Sequence, residues 1–167
     1  MTKESKSYFE KLKSHLPVVK DPTVVILRGH LLIEELLEEL LTTSLTDATA
    51  IRDARLTFFQ KLCLARGLIG IVNMEDVWKP LELLNGLRNT ISHRLPDDAL
   101  SIKLDPVLKA FFPYDYEEIP NDIYSKSKAL RKGIIFHCAE LSGFLEGLKA
   151  ASNDRLQRIM AKGGHSR

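Results

Sequence analysis

The sequence predicts an all-α fold, a bundle of five to six helices that forms a single domain. Apolar residues recur at the three- and four-residue spacing of an amphipathic helix along most of the 167 residues. No run of alternating apolar and polar residues is bounded by turn residues, so no strand is predicted. A composition that is 44% hydrophobic and 28% charged is typical of one globular domain, whose core at this length is stable without disulfides or metal.

The first half of the bundle begins with a short helix over about 4–15 and a long helix over about 23–43. Asp21 is a favourable N-cap residue, and Pro22 suits the first position of the long helix. One wide stripe of this helix is apolar and packs against the other helices, while its glutamates face the other way. The stripe consists of Leu32, Ile33, Leu36, Leu37, Leu40 and Leu41, and the glutamates are Glu34, Glu35, Glu38 and Glu39.

Two further helices follow in the middle of the chain. The third is predicted over about 49–68, with glycines near its end to terminate it. The fourth begins near Asp76 and continues to Leu95, where Pro96 stops it. Pro80 lies early enough in this helix to be tolerated or to bend its first turn.

The last part of the chain begins with a proline-rich segment. Residues 96–122 contain four prolines and are predicted to form a long acidic connection with one short helix over Pro106–Phe112. A final helix with a regularly spaced apolar side is predicted over about 122–150. A basic tail follows over 151–167.

Charge is divided along the chain, although the net charge is only +2. Residues 21–47 and 96–122 each carry a net charge of −5, whereas residues 123–167 carry +6. The near-zero total argues against a broad surface that coats nucleic acid, but it leaves room for a local basic site. Solvated helix faces explain the same charge pattern without any binding function.

Cysteine usage and apolar run length predict a cytoplasmic protein. Cys63 and Cys138 stand among apolar residues without CxxC spacing, which is typical of buried, reduced thiols. No secretory signal or lipidation motif opens the chain, and glutamates interrupt its longest apolar stretch, so no membrane association is expected. No repeat or linker divides the chain, so 1–167 is predicted to be one domain with its core at about 22–150.

The fourth helix places an arginine among apolar residues. At 100° per residue, Arg88 falls inside a cluster formed by Val77, Leu81, Leu84, Ile91 and Leu95. A lone guanidinium is too costly to bury, so Arg88 must pair with a carboxylate, reach a cleft or lie where two chains meet. A second stripe, about 100° round the helix, consists of Glu82, Gly86, Asn89 and His93. We interpret it as a contact surface, because Gly86 lets another backbone approach closely.

Residues 87–93, Leu-Arg-Asn-Thr-Ile-Ser-His, resemble the signature of the HEPN superfamily, an arginine followed by a polar residue and, a few positions later, a histidine. The motif lies late in a helix of an all-α chain of ordinary HEPN size. A long Leu/Glu-rich helix that opens with Leu27-Arg28-Gly29-His30 precedes it, and another long helix follows. The architectural resemblance covers about 22–150, and the specific motif covers 87–93 alone.

The resemblance implies a HEPN-like bundle that dimerises so that two motifs meet in one cleft. In many members this cleft is a metal-independent endoribonuclease site of toxin–antitoxin or phage-defence systems. Arg88, His93 and Asn89 are then the catalytic residues: His93 exchanges protons near neutral pH, Arg88 holds the scissile phosphate, and Asn89 orients the histidine or binds phosphate. The 2′-oxygen is the nucleophile, so the expected product ends in a 2′,3′-cyclic phosphate.

The same resemblance implies the partners. They are RNA of the tRNA or mRNA class, a second copy of the chain, and a cognate antitoxin or defence-system protein; no cofactor and no metal are implied. Helix geometry gives a reason for the dimer, because Arg88 and His93 are about 140° apart and about 7.5 Å apart along an ideal helix axis. They diverge within one chain, but across a two-fold axis they can converge on one phosphate.

Several other residues are weaker candidates. Arg28, His30, Glu35 and Ser92 are candidates for lining the cleft or binding substrate, and Arg28 alternatively pairs with Glu35. His30 and Glu34 are one turn apart, like two metal ligands, but no third ligand stands at a recognisable spacing. No metal site is therefore predicted, and a structural role for His30 at the start of the long helix is the simpler interpretation.

Two alternatives remain at the level of the sequence. The chain is either an enzyme or a catalytically inactive HEPN-like module that regulates or binds nucleotide, nucleic acid or a partner protein. The intact motif favours the enzyme, and the near-neutral charge favours the module. Arg88 and His93 also have a purely structural interpretation, a buried ion pair and a histidine that interacts with the last carbonyls of its helix.

Overall fold

The computed structural model describes residues 12–45, 47–70, 75–91 and 97–163. Within these ranges the elements are helices joined by turns, without strands, which confirms the all-α prediction. The described ranges contain seven α-helices, where five to six were predicted. Residues 12–15 form a helical turn, α1, and the rest of the predicted first helix lies outside the described ranges. The other helices are α2 (Pro22–Ser44), α3 (Ala48–Asp53), α4 (Phe58–Ile69), α5 (Glu75–Ile91), α6 (Asp97–Phe111) and α7 (Ile123–Gly163), with a 3-10 turn at Tyr116–Glu118.

Helix α2 is central in the bundle. It packs against α3, α4, α5 and, most extensively, α7, while α6 packs against α5 and α7. Its start is as predicted: the Asp21 carboxylate accepts a hydrogen bond from the backbone N–H of Thr23 at 2.8 Å, and Pro22 occupies the first helical position. Five of the six residues of the predicted apolar stripe are buried, and the sixth, Leu32, is partly buried against the core.

The single helix predicted over about 49–68 is wrong, because the chain divides it into α3 and α4. Arg55 adopts a left-handed conformation with φ of 48°, which is incompatible with a continuous right-handed helix. Thr57 then begins α4 with a capping box, in which its hydroxyl accepts from the N–H of Gln60 and the Gln60 side chain accepts from the N–H of Thr57. Gly70, with φ of 60°, ends α4 as a left-handed C-cap.

The acidic connection predicted over 96–122, with a short helix over Pro106–Phe112, is also wrong in its first half. A continuous helix, α6, takes its place. Pro106 removes one backbone N–H, but Pro106 and Ile102 are both exposed, so the Ile102 carbonyl that loses its donor lies on the solvent side. The helix therefore continues through the proline, because its apolar spacing allows it to bury one side. The buried residues of α6 are Leu100, Leu104, Val107, Leu108 and Phe111.

Helix α7 begins where predicted and continues to Gly163, through residues that were expected to form a tail beyond 150. Two glycines allow it to pack closely. A Cβ atom on Gly29 of α2 would lie 2.5 Å from Cδ1 of Ile134, and one on Gly133 of α7 would lie 2.6 Å from Cγ of Phe111. Glycine is therefore needed at both positions for α2 and α6 to approach α7.

His137 connects α7 to the beginning of α5. Pro80 lacks the N–H that would bond the Asp76 carbonyl within α5, and Nε2 of His137 lies 3.3 Å from that carbonyl oxygen. Its Nδ1 lies 3.0 Å from the carbonyl oxygen of Gly133. Burial lowers the pKa of His137, so the ring is neutral near pH 7 and donates to only one of the two carbonyls at a time.

The two cysteines have different surroundings. Cys138 is buried in α7, and burial raises the pKa of its thiol to about 12. Cys63 is exposed on α4, so the expectation that both thiols are buried is wrong for Cys63. Among the described helices, none is both long and apolar enough to cross a bilayer.

Candidate functional site

The predicted motif begins in the last turn of α5, which carries Arg88 and Asn89. The described part of this helix ends at Ile91. His93 and Ser92 lie outside the described residues, so the catalytic role of His93 and the place of Ser92 in the cleft stay predictions.

Arg88 lies at the edge of the core. It is half-buried, Asn89 is exposed, and Nη1 of Arg88 donates to Oδ1 of Asn89 at 3.3 Å. Of the cluster predicted around Arg88, Val77, Leu81 and Leu84 are buried and Ile91 is only partly buried. The guanidinium therefore keeps partial access to solvent while its stem covers apolar surface.

His30 of α2 contacts α5 one turn before the motif. Its Nε2 lies 3.1 Å from Oδ1 of Asn85, so a hydrogen bond connects the two side chains. The ring stacks on Phe58 of α4, with the two centroids 4.1 Å apart. Burial is the main reason that the pKa of His30 is lowered; Asn85 and Glu34 oppose this shift, and the positive charge of Arg88 adds to it.

Lys61 of α4 is buried beside the same histidine. Its Nζ donates to Oε2 of Glu38 at 2.9 Å and to Oε1 of Glu34 at 3.0 Å. Burial disfavours its charge, but the bonds to Glu38 and Glu34 outweigh burial and raise the pKa of Lys61. Oε2 of Glu34 lies 3.8 Å from Nδ1 of His30. We call the series Glu38, Lys61, Glu34, His30 and Asn85 the polar chain.

Sequence reasoning did not single out Lys61, Glu38 or Asn85. A signal for Lys61 exists, because this lysine has helical spacing with the apolar residues that α4 buries, which are Phe58, Leu62 and Ala65. A lysine at a core position requires a carboxylate partner, and two glutamates of α2 provide it. Asn85 has no comparable signal, because an amide in the middle of a helix is usually a surface residue.

Arg28 and Glu35 line a groove instead of the candidate site. The groove has a volume of about 580 Å³ and lies between α1 and α2, where His15 and Leu31 also line it. Nη1 of Arg28 donates to the His15 carbonyl at 3.4 Å. In the described part of the chain no residue of α5 lines this groove, so the structure does not bring Arg28 and Glu35 together with Arg88.

The outer side of α4 and α5 exposes part of the stripe that the sequence predicts as a contact surface. Gly86 and Asn89 are exposed, and a Cβ atom on Gly86 would meet no atom within 4 Å. Nη1 of Arg66 lies 3.7 Å from Glu82, which places the outer sides of the two helices next to each other. The exposed Phe59 lies about 20° round α4 from Arg66 and so belongs to the same side, whereas the exposed Leu64 and Leu68 lie about 160° from Arg66. This α4–α5 outer face suits contact with another protein surface.

The groups around α5 are suited to holding an anion. Arg88 is a permanent cation with an amide beside it, and a neutral, buried imidazole lies behind them. Within the described ranges no three His, Cys, Asp or Glu side chains come together as metal ligands. Comparison of the chain with models of protein families, with curated proteins and with solved structures finds no match.

Proposed function

We propose that this chain is a HEPN-like, metal-independent endoribonuclease of toxin or phage-defence type that cleaves RNA in a cleft between two copies of the chain. The observation that carries the proposal is the position of Arg88 and Asn89. They are hydrogen-bonded to each other in the last turn of α5 of an all-helical bundle, and both are accessible to solvent at least in part. The resemblance assigns phosphate binding to this half of the motif.

In the proposed reaction a histidine transfers protons and an arginine stabilises charge. His93 removes the proton from the ribose 2′-hydroxyl, or gives one to the departing 5′-oxygen. The 2′-oxygen forms a bond to phosphorus as the bond to the 5′-oxygen breaks, which leaves a 2′,3′-cyclic phosphate and a 5′-hydroxyl. Arg88 stabilises the charge that develops on the phosphate oxygens, and Asn89 orients His93 or binds the phosphate.

The second copy is part of the proposal because a continuous helix would keep the two residues of the motif apart within one chain. On an ideal helix Arg88 and His93 diverge by about 140°. A two-fold contact through the α4–α5 outer face would set the Arg88 of one protomer near the His93 of its partner. The exposed Phe59 of α4 and the open surface at Gly86 support such a contact.

His30 and Ser92 have different roles in this proposal, and Arg28 and Glu35 have none. His30 holds α5 in place through Asn85 and is a positioning residue, whereas Ser92, next to His93, lines the cleft. Arg28 and Glu35 are not assigned to the cleft, because they line the groove beside α1.

Cleavage of RNA in EDTA tests the activity. Total RNA or tRNA is incubated with the wild type, Arg88→Ala, His93→Ala and the control Arg52→Ala, which removes an exposed arginine of α3. We expect a loss of about 10²-fold or more in the first two variants, the scale for removal of a group that stabilises a transition state, and none in the control. The products should end in 2′,3′-cyclic phosphate. If the wild type and all variants are folded and none of them cleaves RNA, the proposed enzyme activity is overturned and the catalytically inactive binding module is favoured.

Mixing the two inactive variants tests the shared cleft. When Arg88→Ala and His93→Ala protomers exchange, the mixed dimer has one site with an intact arginine and an intact histidine from different chains. About a quarter of the wild-type activity should return if exchange is random and each site needs both chains. No recovery after demonstrated exchange, or full activity in a strictly monomeric protein, would contradict the shared cleft.

A further inference from the structure

A second surface, at the beginning of α7 and the end of α6, carries aromatic rings and lysines. Tyr124, Lys128, Lys132 and Phe136 follow one another at four-residue intervals on α7, and all four are exposed. Each step of four residues rises about 6 Å and turns about 40°, so successive members are neighbours on the helix surface, and the series winds through about 120° from Tyr124 to Phe136. We call these four residues, together with Phe112, the aromatic–lysine stripe.

Each lysine of the stripe lies over a ring. Nζ of Lys128 is 4.6 Å from the centroid of Tyr124, and Nζ of Lys132 is 5.7 Å from the centroid of Phe112. The close approach of Phe111 to Gly133 brings the end of α6, and with it Phe112, next to Lys132. Such cation–π contacts hold a positive charge and a flat apolar surface side by side.

The stripe lies in a segment of α7 without acidic residues, although Asp122, just before the helix, interacts electrostatically with Lys128. Residues 123–139 contain four basic residues and no acidic one. Two of the four make contacts inside the bundle: Lys126 lies 2.6 Å from Asp105, and Arg131 donates to backbone carbonyls at the end of α1. Lys128 and Lys132 therefore provide the exposed charge of this segment.

We propose that the aromatic–lysine stripe binds single-stranded RNA, with bases stacked on Tyr124 and Phe136 and phosphates held by Lys128 and Lys132. A ring next to a cation matches the two parts of a nucleotide, a base face and a phosphate. A duplex would contact the lysines but not the rings, because its base faces are stacked inside the helix. An acidic peptide would also contact only the lysines. A single strand can contact both the rings and the lysines. The choice of RNA rather than DNA rests on the proposed function. The inference that the stripe binds a nucleic-acid single strand does not depend on it.

Binding of an RNA that cannot be cleaved tests the stripe separately from catalysis. The probe is a fluorescein-labelled 12-mer of uridine with 2′-O-methyl groups, and the readout is fluorescence anisotropy at several salt concentrations. Lys128→Gln/Lys132→Gln should weaken binding on the order of tenfold at low salt and reduce the slope of log K against log salt by about 1.4. Phe136→Ser should weaken binding on the order of tenfold without changing that slope, because it removes stacking and no charge.

The matched control is Arg52→Gln/Lys103→Gln, which removes the same charge from exposed positions elsewhere. Lys103 is about 160° round α6 from Asp105, the residue that faces α7. This control should change the dissociation constant less than about twofold, since distant exposed charges are screened. An equal loss in both double variants would show a general charge effect and overturn the stripe.

Three competitors complete the test. A 12-base-pair duplex and poly-glutamate should both displace the probe poorly, and dT12 should bind no more tightly than the RNA. Efficient displacement by the duplex or by poly-glutamate, or tighter binding of dT12, would overturn the assignment to single-stranded RNA. A wild type that binds the probe but cuts no RNA would refute the proposed function alone, whereas one that cuts RNA with unchanged affinity in the stripe variants would refute the stripe alone.

Discussion

The two sides of α2 are held by different kinds of interaction, although neighbouring residues define them. Gly29 faces α7, where the absence of a side chain leaves room for Ile134. His30, the next residue, faces α4 and α5 and contacts Asn85. One side depends on the fit of apolar shapes, which salt and pH hardly change, and the other depends on hydrogen bonds and charge. The candidate site lies on the side that solution conditions can change.

The polar chain has a consequence that the apolar side does not have. It connects α2, α4 and α5, and its two buried members, Lys61 and His30, need their partners, because a buried polar group without one is costly. It therefore fixes the position of α5, the helix that carries Arg88, more specifically than apolar packing alone. Substitutions on the two sides should differ in size and in their response to pH and salt.

The largest change in stability is expected on the apolar side, at Gly133. Gly133→Ala should lower the free energy of unfolding by about 1–3 kcal/mol, because its new methyl group overlaps the ring of Phe111. Gly143→Ala on the same helix is the matched control, since a Cβ atom there meets nothing within 4 Å. It should raise stability by about 0.5–1 kcal/mol through helix propensity. Equal effects of the two substitutions in urea unfolding would contradict the close packing of α6 on α7.

The next largest change is expected in the polar chain, at Lys61. Lys61→Met leaves Glu34 and Glu38 without their shared cation, but these side chains are 29% and 40% exposed and can be hydrated. We therefore expect a loss of about 1–2 kcal/mol, less than for a fully buried pair. The triple variant Lys61→Met/Glu34→Gln/Glu38→Gln should recover part of the lost free energy of unfolding. If the triple variant is the least stable, the carboxylates contribute in some way other than through Lys61.

The sequence predicted the apolar side better than the polar side. The stripe of α2 and the apolar face of α7 are periodic, so their burial follows from the spacing alone. The division between α3 and α4 was missed, because Arg55 in a left-handed conformation has no composition signal. The sequence does not predict α6, because Pro106 usually marks the end of a helix and the sequence does not show that this proline is exposed.

For the candidate site, the sequence located individual residues but not their partners. It placed Arg88 and Asn89 late in a helix and His30 near the start of another, and these positions are those of the structure. The contact of His30 with Asn85 joins residues 55 positions apart, and no spacing rule within one helix indicates it. The same limit applies to Lys61 and its two glutamates, which follow from the way α4 packs on α2.

A smaller loss of stability is expected when the pH is lowered. Burial lowers the pKa of His30 and of His137 below 6.5, so between 6.5 and the lower folded-state value the unfolded chain binds more protons. The stabilisation is present above about pH 6.5 and is lost as the pH falls through the lowered folded-state pKa of each histidine. The melting temperature should therefore decrease between pH 7.5 and pH 5.5.

His30→Gln and His137→Gln separate the two contributions to this decrease. Each should flatten part of the pH profile. Each histidine has one carboxylate near it, Glu34 at 3.8 Å from His30 and Glu140 at 3.9 Å from His137, so both substitutions should also alter the salt dependence. A profile that stays unchanged in both variants would mean that other groups cause the decrease. Glu140 is a weak interfering group: burial raises its pKa, so its own contribution is lost as pH rises, opposite in sign to that of the histidines.

The smallest effect is expected at Lys149, which tests whether burial distinguishes the polar chain from ordinary surface charge. Lys149 resembles Lys61 in having two glutamates as partners, with Nζ 2.9 Å from Glu39 and 3.7 Å from Glu146. The hydrogen bond to Glu39 is the main reason that the pKa of Lys149 is raised. Its side chain is 42% exposed, whereas that of Lys61 is 10% exposed.

Lys149→Met should therefore cost about 0.5 kcal/mol or less, and salt near 1 M should abolish that cost. The cost of Lys61→Met should persist in the same salt, because its charges are partly shielded from ions. Urea unfolding of both variants at low and high salt measures the difference. Two equal costs that disappear together would show that Lys61 is no more than a surface cation, and the polar chain would then not explain how α5 is held in place.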